Sequence, residues 1–333
     1  MPAASNKEVM KRSLNISENI PQGLFHGSAG ACLVAGLSDM GRAGEAVRGL
    51  VEGLKTVQQD LSIASGMPGV AIAADVLARY VFGQGLAGVL ADVDAPMYRV
   101  YGNGDFPKDY SRLADGVVYM SYRLSYGAFA PTERGIWLRA LGMLAEALTE
   151  HMRHDADEAF RFSLNYRPAA CAAILGFAIG AGLDKGVWRK KLSLLLPFML
   201  EIYPYSAANR LYYAIALKRL LDAAEIRDAV ADELLGRLKA GITPQTLVDA
   251  AEGRLYVSDG FAGICLLACF APWLREELHN FATELSARVD SSAEMERLRT
   301  NEAYLRNHAG LWDGFAGIEL AKFLTDSECV AAE

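Results

Sequence analysis

The chain has little of what would place it outside the cell or in a membrane. It has five cysteines in 333 residues, an odd number, and most of them have apolar sequence neighbours. We therefore expect reduced thiols rather than a disulfide framework. The first twenty residues contain basic side chains but no apolar core of a signal peptide. No apolar run approaches the length of a membrane span, so we expect a cytoplasmic protein.

Basic residues are also in the minority. Lysine and arginine number 33 against 40 acidic residues, which gives a net charge of −7 and predicts no nucleic-acid partner. Hydrophobic residues make up 52% and charged residues 22%, which is typical of a folded domain. Strand patterns are scarce, and Met97–Val100 is the one short piece that we predict to be extended. The composition and patterning predict an all-α protein.

A short glycine motif recurs along the chain, each time followed by an apolar run of helical length. Its clear copies have the pattern Gly-x-x-Gly and begin at Gly27, Gly66, Gly260 and Gly314. Weaker copies are aligned at Gly116, Arg167 and Asn209. The copies are roughly 40 to 55 residues apart, which leaves room for two helices of about a dozen residues and their connections.

The stretches between the motifs have a different pattern, with spaced apolar residues on charged sequence. These stretches are Gly41–Gln59, Thr132–His151, Lys185–Leu200, Glu225–Leu238 and Pro272–Val289. Such a stripe indicates an amphipathic outer helix, whereas a helix that is apolar all round lies inside. Alternation of the two predicts a two-layered ring, in which the glycines let neighbouring backbones approach closely.

This arrangement resembles the lanthionine synthetase C-like family, the cyclases of lanthipeptide biosynthesis. The resemblance implies a double-layered α/α toroid, or barrel, of about seven inner and seven outer helices. It divides the chain into an N-terminal extension (1–20), the toroid domain (21–325) and a C-terminal tail (326–333). It also implies two kinds of partner, a precursor peptide with leader and core and an enzyme that dehydrates it, such as a kinase/lyase or a dehydratase.

The resemblance fails at the metal site of the family. Cyclases of this family hold a catalytic zinc through a cysteine of one copy and a Cys-His pair of the next. The aligned residues here are Ala207, Ser258 and Asp259, and Tyr166 stands where an imidazole is usual. A serine and one carboxylate do not replace two thiolates and an imidazole, so we expect no metal and no cofactor.

Two cysteines are the remaining candidates for metal ligands. Cys265 and Cys269 are four residues apart on one predicted helix, which places both thiols on one face. Their apolar surroundings favour core packing over metal binding. The other histidines, His151, His154, His279 and His308, have polar neighbours, and we expect them to be solvated.

The residue before the first glycine of each copy is expected to face a central cleft. These residues are His26, Ser65, Asp115, Tyr166, Ala208, Asp259 and Asp313. Ser65, Asp115 and Asp313 fit equally well as helix N-caps. Asp259 and His26 are candidate general bases, and His26 is as easily a partner of a neighbouring turn.

Arg167 and Tyr166 complete the catalytic set, as groups that stabilise a developing enolate. Arg167 has an alternative role as a structural clamp on Asp259 or Asp115, and the clamp is slightly favoured. The predicted substrate-binding residues are Asp115, Tyr122, Ser258, Asn209, Tyr212 and Asp313.

Three functions are compatible with these residues. The first is a metal-independent cyclase that adds a cysteine thiol to a dehydroamino acid and so forms a thioether ring in a ribosomally made peptide. The second is a non-catalytic protein of the same fold that binds the precursor peptide or scaffolds partner enzymes. The third is a carbohydrate-active enzyme of the α/α-toroid type, for which two of the aspartates would form the catalytic pair.

Overall fold

A computed structural model describes residues 23–55, 60–152 and 160–332, apart from the side chains of residues 328–332. Over these ranges the protein is all α-helical and has no strand, so the predicted fold class is confirmed at this level. The predicted N-terminal extension, residues 1–20, lies outside them. The helices are α1 Ser28–Ser38, α2 Ala43–Gly53, α3 Met67–Phe82, α4 Ala87–Tyr101, α5 Tyr110–Tyr126, α6 Pro131–Thr149, α7 Arg167–Gly180, α8 Lys185–Leu200, α9 Ala207–Ala223, α10 Ala229–Lys239, α11 Pro244–Ala250, α12 Phe261–Cys269, a 3-10 helix Pro272–Glu277, α13 Leu278–Ser291, α14 Ala293–Thr300, α15 Glu302–Asn307 and α16 Phe315–Ala332.

The helices predicted after the clear glycine copies begin where the motif places them. The first helical residue directly follows the first glycine in each case, at Ser28, Met67, Phe261 and Phe315. Each of the five stretches predicted as amphipathic also overlaps a helix, and these helices are α2, α6, α8, α10 and α13. The helical part of the sequence interpretation is therefore confirmed for these segments.

The weak copy at Gly116 was placed in the wrong register. Helix α5 begins at Tyr110, where the carboxylate of Asp109 accepts a hydrogen bond from the amide of Arg112 at 3.1 Å. Gly116 therefore lies inside α5, where a Cβ would come within 2.8 Å of the Tyr101 ring. Gly116 therefore marks a close contact between α5 and α4 rather than the start of a helix.

The short extended piece predicted at Met97–Val100 is wrong, because this segment belongs to α4. Leu90, Val93, Met97 and Tyr101 are all buried. Their spacing of three and four residues places them on one helix face. This helical period outweighs the local strand preference of a valine and a tyrosine.

The described residues fall into two compact units, those within 23–94 and 253–332 and those within 95–252. In the first unit the apolar helices touch in the order α12, α16, α1 and α3. The amphipathic helices pack on them, α2 against α1 and α3, and α13 against α12 and α16. The backbone of the predicted tail, residues 326–333, continues α16 as far as Ala332.

The second unit has the same kind of organisation. Helix α7 touches both α5 and α9, and its contact with α9 is the most extensive. Helix α6 packs against α5 and α7, while α10 and α11 pack against α9. Gly176 allows the close approach of α7 to α9, since a Cβ there would lie 3.2 Å from the backbone of Leu220.

Candidate functional site

The loops that precede the glycine motifs of the first unit share one local structure. In three of them the first amide of the helix donates to the carbonyl six residues before the first glycine. These bonds join Met67 to Asp60 at 3.0 Å, Phe261 to Arg254 at 3.0 Å and Phe315 to His308 at 2.8 Å. The loop thus satisfies a donor that a helix otherwise leaves unpaired. A polar N-cap side chain is therefore not needed there.

The second glycine of the motif is required by the same loop. A Cβ on Gly69 would lie 1.9 Å from the carbonyl oxygen of Ile63, and one on Gly317 would lie 2.0 Å from that of Leu311. Both carbonyls stand three residues before the first glycine. The Gly-x-x-Gly pattern is thus explained by loop packing, and by itself it carries no chemistry.

A ladder of backbone hydrogen bonds joins the four loops at equivalent positions. The residue two before the first glycine donates its amide to the carbonyl of the corresponding residue in the next loop. Ser258 donates to Trp312 at 3.0 Å, Trp312 to Phe25 at 2.9 Å, and Phe25 to Ala64 at 2.9 Å. The rings of Phe25 and Trp312 also stack, with centroids 5.0 Å apart. We call this strip the loop ladder.

The loop ladder brings together the four residues that directly precede the first glycines. In ladder order they are Asp259, Asp313, His26 and Ser65, and their side chains are exposed or half-buried. His26 Nδ1 lies 3.9 Å from Asp313 Oδ2, and about half of each side chain is exposed. An imidazole beside a carboxylate is an arrangement suited to proton transfer. The sequence interpretation selected all four of these residues.

Ser65 is not a helix N-cap, because Gly66 holds that position in α3, so the alternative role considered for Ser65 is wrong. Helix α16 begins at Phe315, two residues after Asp313, and the Phe315 amide donates to the His308 carbonyl. The N-caps of α1, α3 and α12 are the glycines, and none makes a side-chain cap. Ser65 instead donates its hydroxyl to the carboxylate of Asp60 at 2.6 Å.

Asp259 is already engaged by its neighbours. Its Oδ1 accepts a hydrogen bond from the Ser258 hydroxyl at 3.1 Å, and its Oδ2 accepts one from Arg254 Nη1 at 3.0 Å. Arg254 belongs to the same loop, so this ion pair fixes the loop's shape. The clamp on Asp259 that the sequence interpretation gave to Arg167 is thus provided by Arg254. Ser258, a predicted substrate-binding residue, is 9% exposed and contributes to the ladder.

A stacked group of rings lies beside Asp313, and the sequence interpretation missed it. The rings of Tyr304 and His308 stack with centroids 4.1 Å apart, and the ring of Tyr256 lies nearly parallel to that of His308 with centroids 6.1 Å apart. The two tyrosine hydroxyls are 3.3 Å apart. Burial, the hydrogen bond to Tyr304 and nearby carboxylates including Asp313 raise the pKa of Tyr256. Its hydroxyl therefore stays protonated.

His308 contradicts the prediction that it is solvated. It is half-buried, its ring stacks on that of Tyr304, and its Nδ1 lies 3.0 Å from the carbonyl oxygen of Tyr304. The local sequence is polar, but His308 occupies the loop position whose carbonyl caps α16. The repeat could have indicated this role, because His308 stands six residues before Gly314, as Asp60 and Arg254 stand before Gly66 and Gly260.

The second unit uses several predicted site residues in its own packing. Asn209 is completely buried, accepts a hydrogen bond from the Ser163 amide at 3.1 Å and donates one to the Arg161 carbonyl at 2.6 Å. It therefore holds the loop before α7. Tyr166 is also completely buried and is the N-cap of α7, so Arg167 is the first residue of that helix and not the counterpart of a glycine.

The other predicted residues of this unit lie on helices. Asp115 is half-buried within α5, and Tyr122, two turns further on, is buried with its ring 4.9 Å from that of Tyr126. Burial, with a smaller contribution from Cys171, raises the pKa of Tyr212, which keeps its hydroxyl protonated. Arg167 is exposed.

The cysteines of the described part are present as thiols. Cys265 is completely buried, and burial raises its pKa well above the usual value, which agrees with core packing. Cys269 lies 3.9 Å from the Thr325 hydroxyl. Within the ranges that the structure covers, no group of three histidine, cysteine or acidic side chains is arranged to hold a metal ion.

Cys32 is expected to react very slowly with alkylating agents. Burial raises its pKa to about 11, so at pH 8 its thiolate is about 200-fold scarcer than that of an ordinary cysteine. Iodoacetamide labelling followed by mass spectrometry of the peptide containing residue 32 measures this rate. The same peptide should react normally in guanidinium chloride, and an equal rate in the native protein would refute the expectation.

Two surface grooves lie away from the predicted residues. One, of about 520 Å³, runs between α6 and α8 and is lined by Met143, Trp188 and Lys191 among others. The second has a similar volume and lies beside α13 and α14, with Arg288 and Glu294 in its wall. None of the candidate catalytic side chains lines either groove.

No helix in the described part of the chain has both the length and the apolar character needed to cross a membrane. A scan against models of known protein families finds none that matches the chain. A search of curated proteins finds no significant match either. The family resemblance therefore depends on the motifs of this sequence.

Proposed function

We propose that the chain is a metal-independent cyclase of the lanthionine synthetase C-like type, which forms thioether rings in a ribosomally made peptide in the cytoplasm. The observation that carries this proposal is the His26–Asp313 pair on the loop ladder. It lies beside Asp259, the residue that is aligned with a metal ligand of that family. The proposal includes the full toroid of about seven inner and seven outer helices, as well as a precursor peptide and a dehydrating enzyme as partners.

Ring formation needs a base that deprotonates the substrate thiol and an acid that protonates the α-carbon of the resulting enolate. His26, with Nδ1 directed at Asp313, takes the proton from the substrate cysteine through its other ring nitrogen. The thiolate forms a C–S bond to the β-carbon of the dehydroamino acid, and the double-bond electrons move to the enolate. The imidazolium then returns its proton to the α-carbon, so atoms and electrons balance.

Asp313 is assigned the orienting role. The separation of 3.9 Å between Nδ1 and Oδ2 is longer than a hydrogen bond, and it shortens as the imidazole becomes charged. Asp259 is the weaker candidate for the base, because both of its oxygens already accept hydrogen bonds. In this arrangement Asp259 and Arg254 shape the wall beside the base.

The test measures cyclisation of a synthetic peptide that contains one dehydroalanine and one cysteine. Unreacted thiol is alkylated and the products are counted by mass spectrometry. We expect His26→Gln to lower the rate about 100-fold and Asp313→Asn about tenfold, with peptide affinity unchanged. Ser65→Ala is the matched control on the same ladder, and its rate should stay within about twofold of the wild type.

Two results would redirect the proposal. A 100-fold loss in Asp259→Asn with full activity in His26→Gln would make Asp259 the base. A wild-type protein that binds the peptide tightly but does not accelerate ring formation would favour the non-catalytic alternative. That alternative is supported by Tyr166 and Asn209, two predicted site residues that the fold buries. The carbohydrate alternative has weaker support, because Asp259 and Asp313 are each paired with a basic side chain.

A further inference from the structure

The N-terminal end of α9 carries a buried hydroxyl whose hydrogen bonding is not satisfied. Ser206 is the N-cap of this 17-residue helix and is 8% exposed. A serine N-cap normally accepts a hydrogen bond from an amide of the first turn, but Ser206 makes no such cap. Among the residues that the structure describes, its Oγ has no hydrogen-bond partner. A buried hydroxyl without a partner is costly, so its presence suggests a ligand.

Arg210 adds a second unsatisfied donor one turn further along. Its guanidinium reaches back to the residue before Ser206, because Nη1 donates to the Tyr205 carbonyl. Its Nε is buried and also has no partner within the described ranges. Another nitrogen, Nη1, donates to the Tyr205 carbonyl at 3.4 Å, and the guanidinium lies 5.4 Å from the centre of the Tyr203 ring. The positive charge of Arg210 is therefore held at the N-terminal end of α9.

The helix end itself favours negative charge. A helix carries a partial positive charge at its N-terminus, where backbone amides point outward. In α12 the first amide, that of Phe261, is taken by a loop carbonyl. For the first two amides of α9, those of Ala207 and Ala208, the described residues show no corresponding bond. The Ser206 hydroxyl, Arg210 Nε and these two amides together form a set of donors for which the described residues show no acceptor.

The surroundings are cationic and partly open, although the chain as a whole carries a net charge of −7. Arg237 lies 5.9 Å from the Tyr203 ring, on which Arg210 also packs. Phe160 and Tyr205 stack at 4.6 Å, and both are more than half exposed.

We infer that the N-terminal end of α9 binds an oxyanion, a carboxylate or phosphate group, through the Ser206 hydroxyl, Arg210 Nε and the first backbone amides of the helix. The site lies entirely within residues 95–252. It does not depend on the base assigned to His26, so it is tested separately from the proposed function.

The experiment measures the thermal unfolding midpoint of the full chain in inorganic phosphate, in acetate and in chloride, all at equal ionic strength. We expect at least one of the two oxyanions to raise Tm saturably by about 2–5 °C, and chloride to have no such effect. The rise should disappear in Ser206→Ala and in Arg210→Gln. A response to phosphate alone identifies a phosphate ligand, and one to acetate alone identifies a carboxylate.

The matched controls come from the same unit. Ser121 is another buried serine whose Oγ has no partner in the described structure, but it lies inside α5. Ser121→Ala should keep the full response, as should Arg139→Gln at an exposed position of α6. Without anion, Ser206→Ala should be at least as stable as the wild type, so a folding defect does not obscure the result. Equal responses in all variants, or no response in the wild type, would overturn the site.

Discussion

Replacing Gly69 with alanine is expected to destabilise the protein by about 3 kcal/mol or more. The new Cβ would lie 1.9 Å from the carbonyl oxygen of Ile63 and 3.0 Å from the Leu24 side chain. The first of these is backbone, which cannot rotate away, so the loop has to move. That loop carries Ala64, the last member of the ladder, and its displacement breaks the bond from Phe25. Urea unfolding followed by far-UV circular dichroism measures the change.

Gly49→Ala is the control for this substitution. Gly49 lies on the exposed face of α2, and a Cβ there meets nothing within 4 Å. The same chemical change should therefore stabilise the protein by up to about 1 kcal/mol, the difference between glycine and alanine within a helix. If both variants shifted the midpoint equally, close loop packing would not be the reason for glycine at position 69.

Replacing Asn209 with alanine is expected to destabilise the protein by about 2–4 kcal/mol. The side chain is completely buried and satisfies the amide of Ser163 and the carbonyl of Arg161. Alanine leaves both backbone groups without these partners and leaves a small cavity beside them. The loss should appear in the free energy of unfolding measured without any peptide.

This result separates two roles for Asn209. A substrate-binding side chain would change peptide affinity at nearly constant stability, whereas a loop clamp changes stability first. Asn165→Ala is the control, since Asn165 is an exposed residue of the same loop. Its hydrogen bond to the Ser163 hydroxyl is made by its backbone amide, so the substitution leaves that bond in place. Its stability should stay within about 0.5 kcal/mol of the wild type. A loss below about 1 kcal/mol in Asn209→Ala would contradict the clamp.

The candidate site was predictable where the repeat is strong. His26 and Asp313 were selected because each precedes a glycine of a clear copy, and the structure places their side chains 3.9 Å apart. Asp115 was selected by the same rule in a weak copy, where the glycine belongs to a helix–helix contact. A glycine indicates that another segment of the chain approaches closely at its position. The sequence does not show whether that segment is a loop or a helix.

The partners of the predicted side chains were not predictable from the sequence. Arg254 holds Asp259 because one loop returns on itself, and this brings residues five apart into an ion pair. His308 looked solvated because its neighbours in sequence are polar, yet it is half-buried, and the ring of Tyr256, from a distant part of the chain, lies 6.1 Å from its ring. Such contacts depend on which loops lie side by side.

The sequence by itself determined the helices and the need for glycine at the loop ends. Apolar spacing decides which face of a helix is buried, as in the buried stripe of α4, and this information is local. Only the tertiary structure decided which loops are neighbours and which polar groups they satisfy. The ladder from Ser258 through Trp312 and Phe25 to Ala64 consists of backbone bonds, which any residue except proline can make. The ladder therefore cannot be predicted from the identity of the side chains. Its order follows only from the packing of α12, α16, α1 and α3.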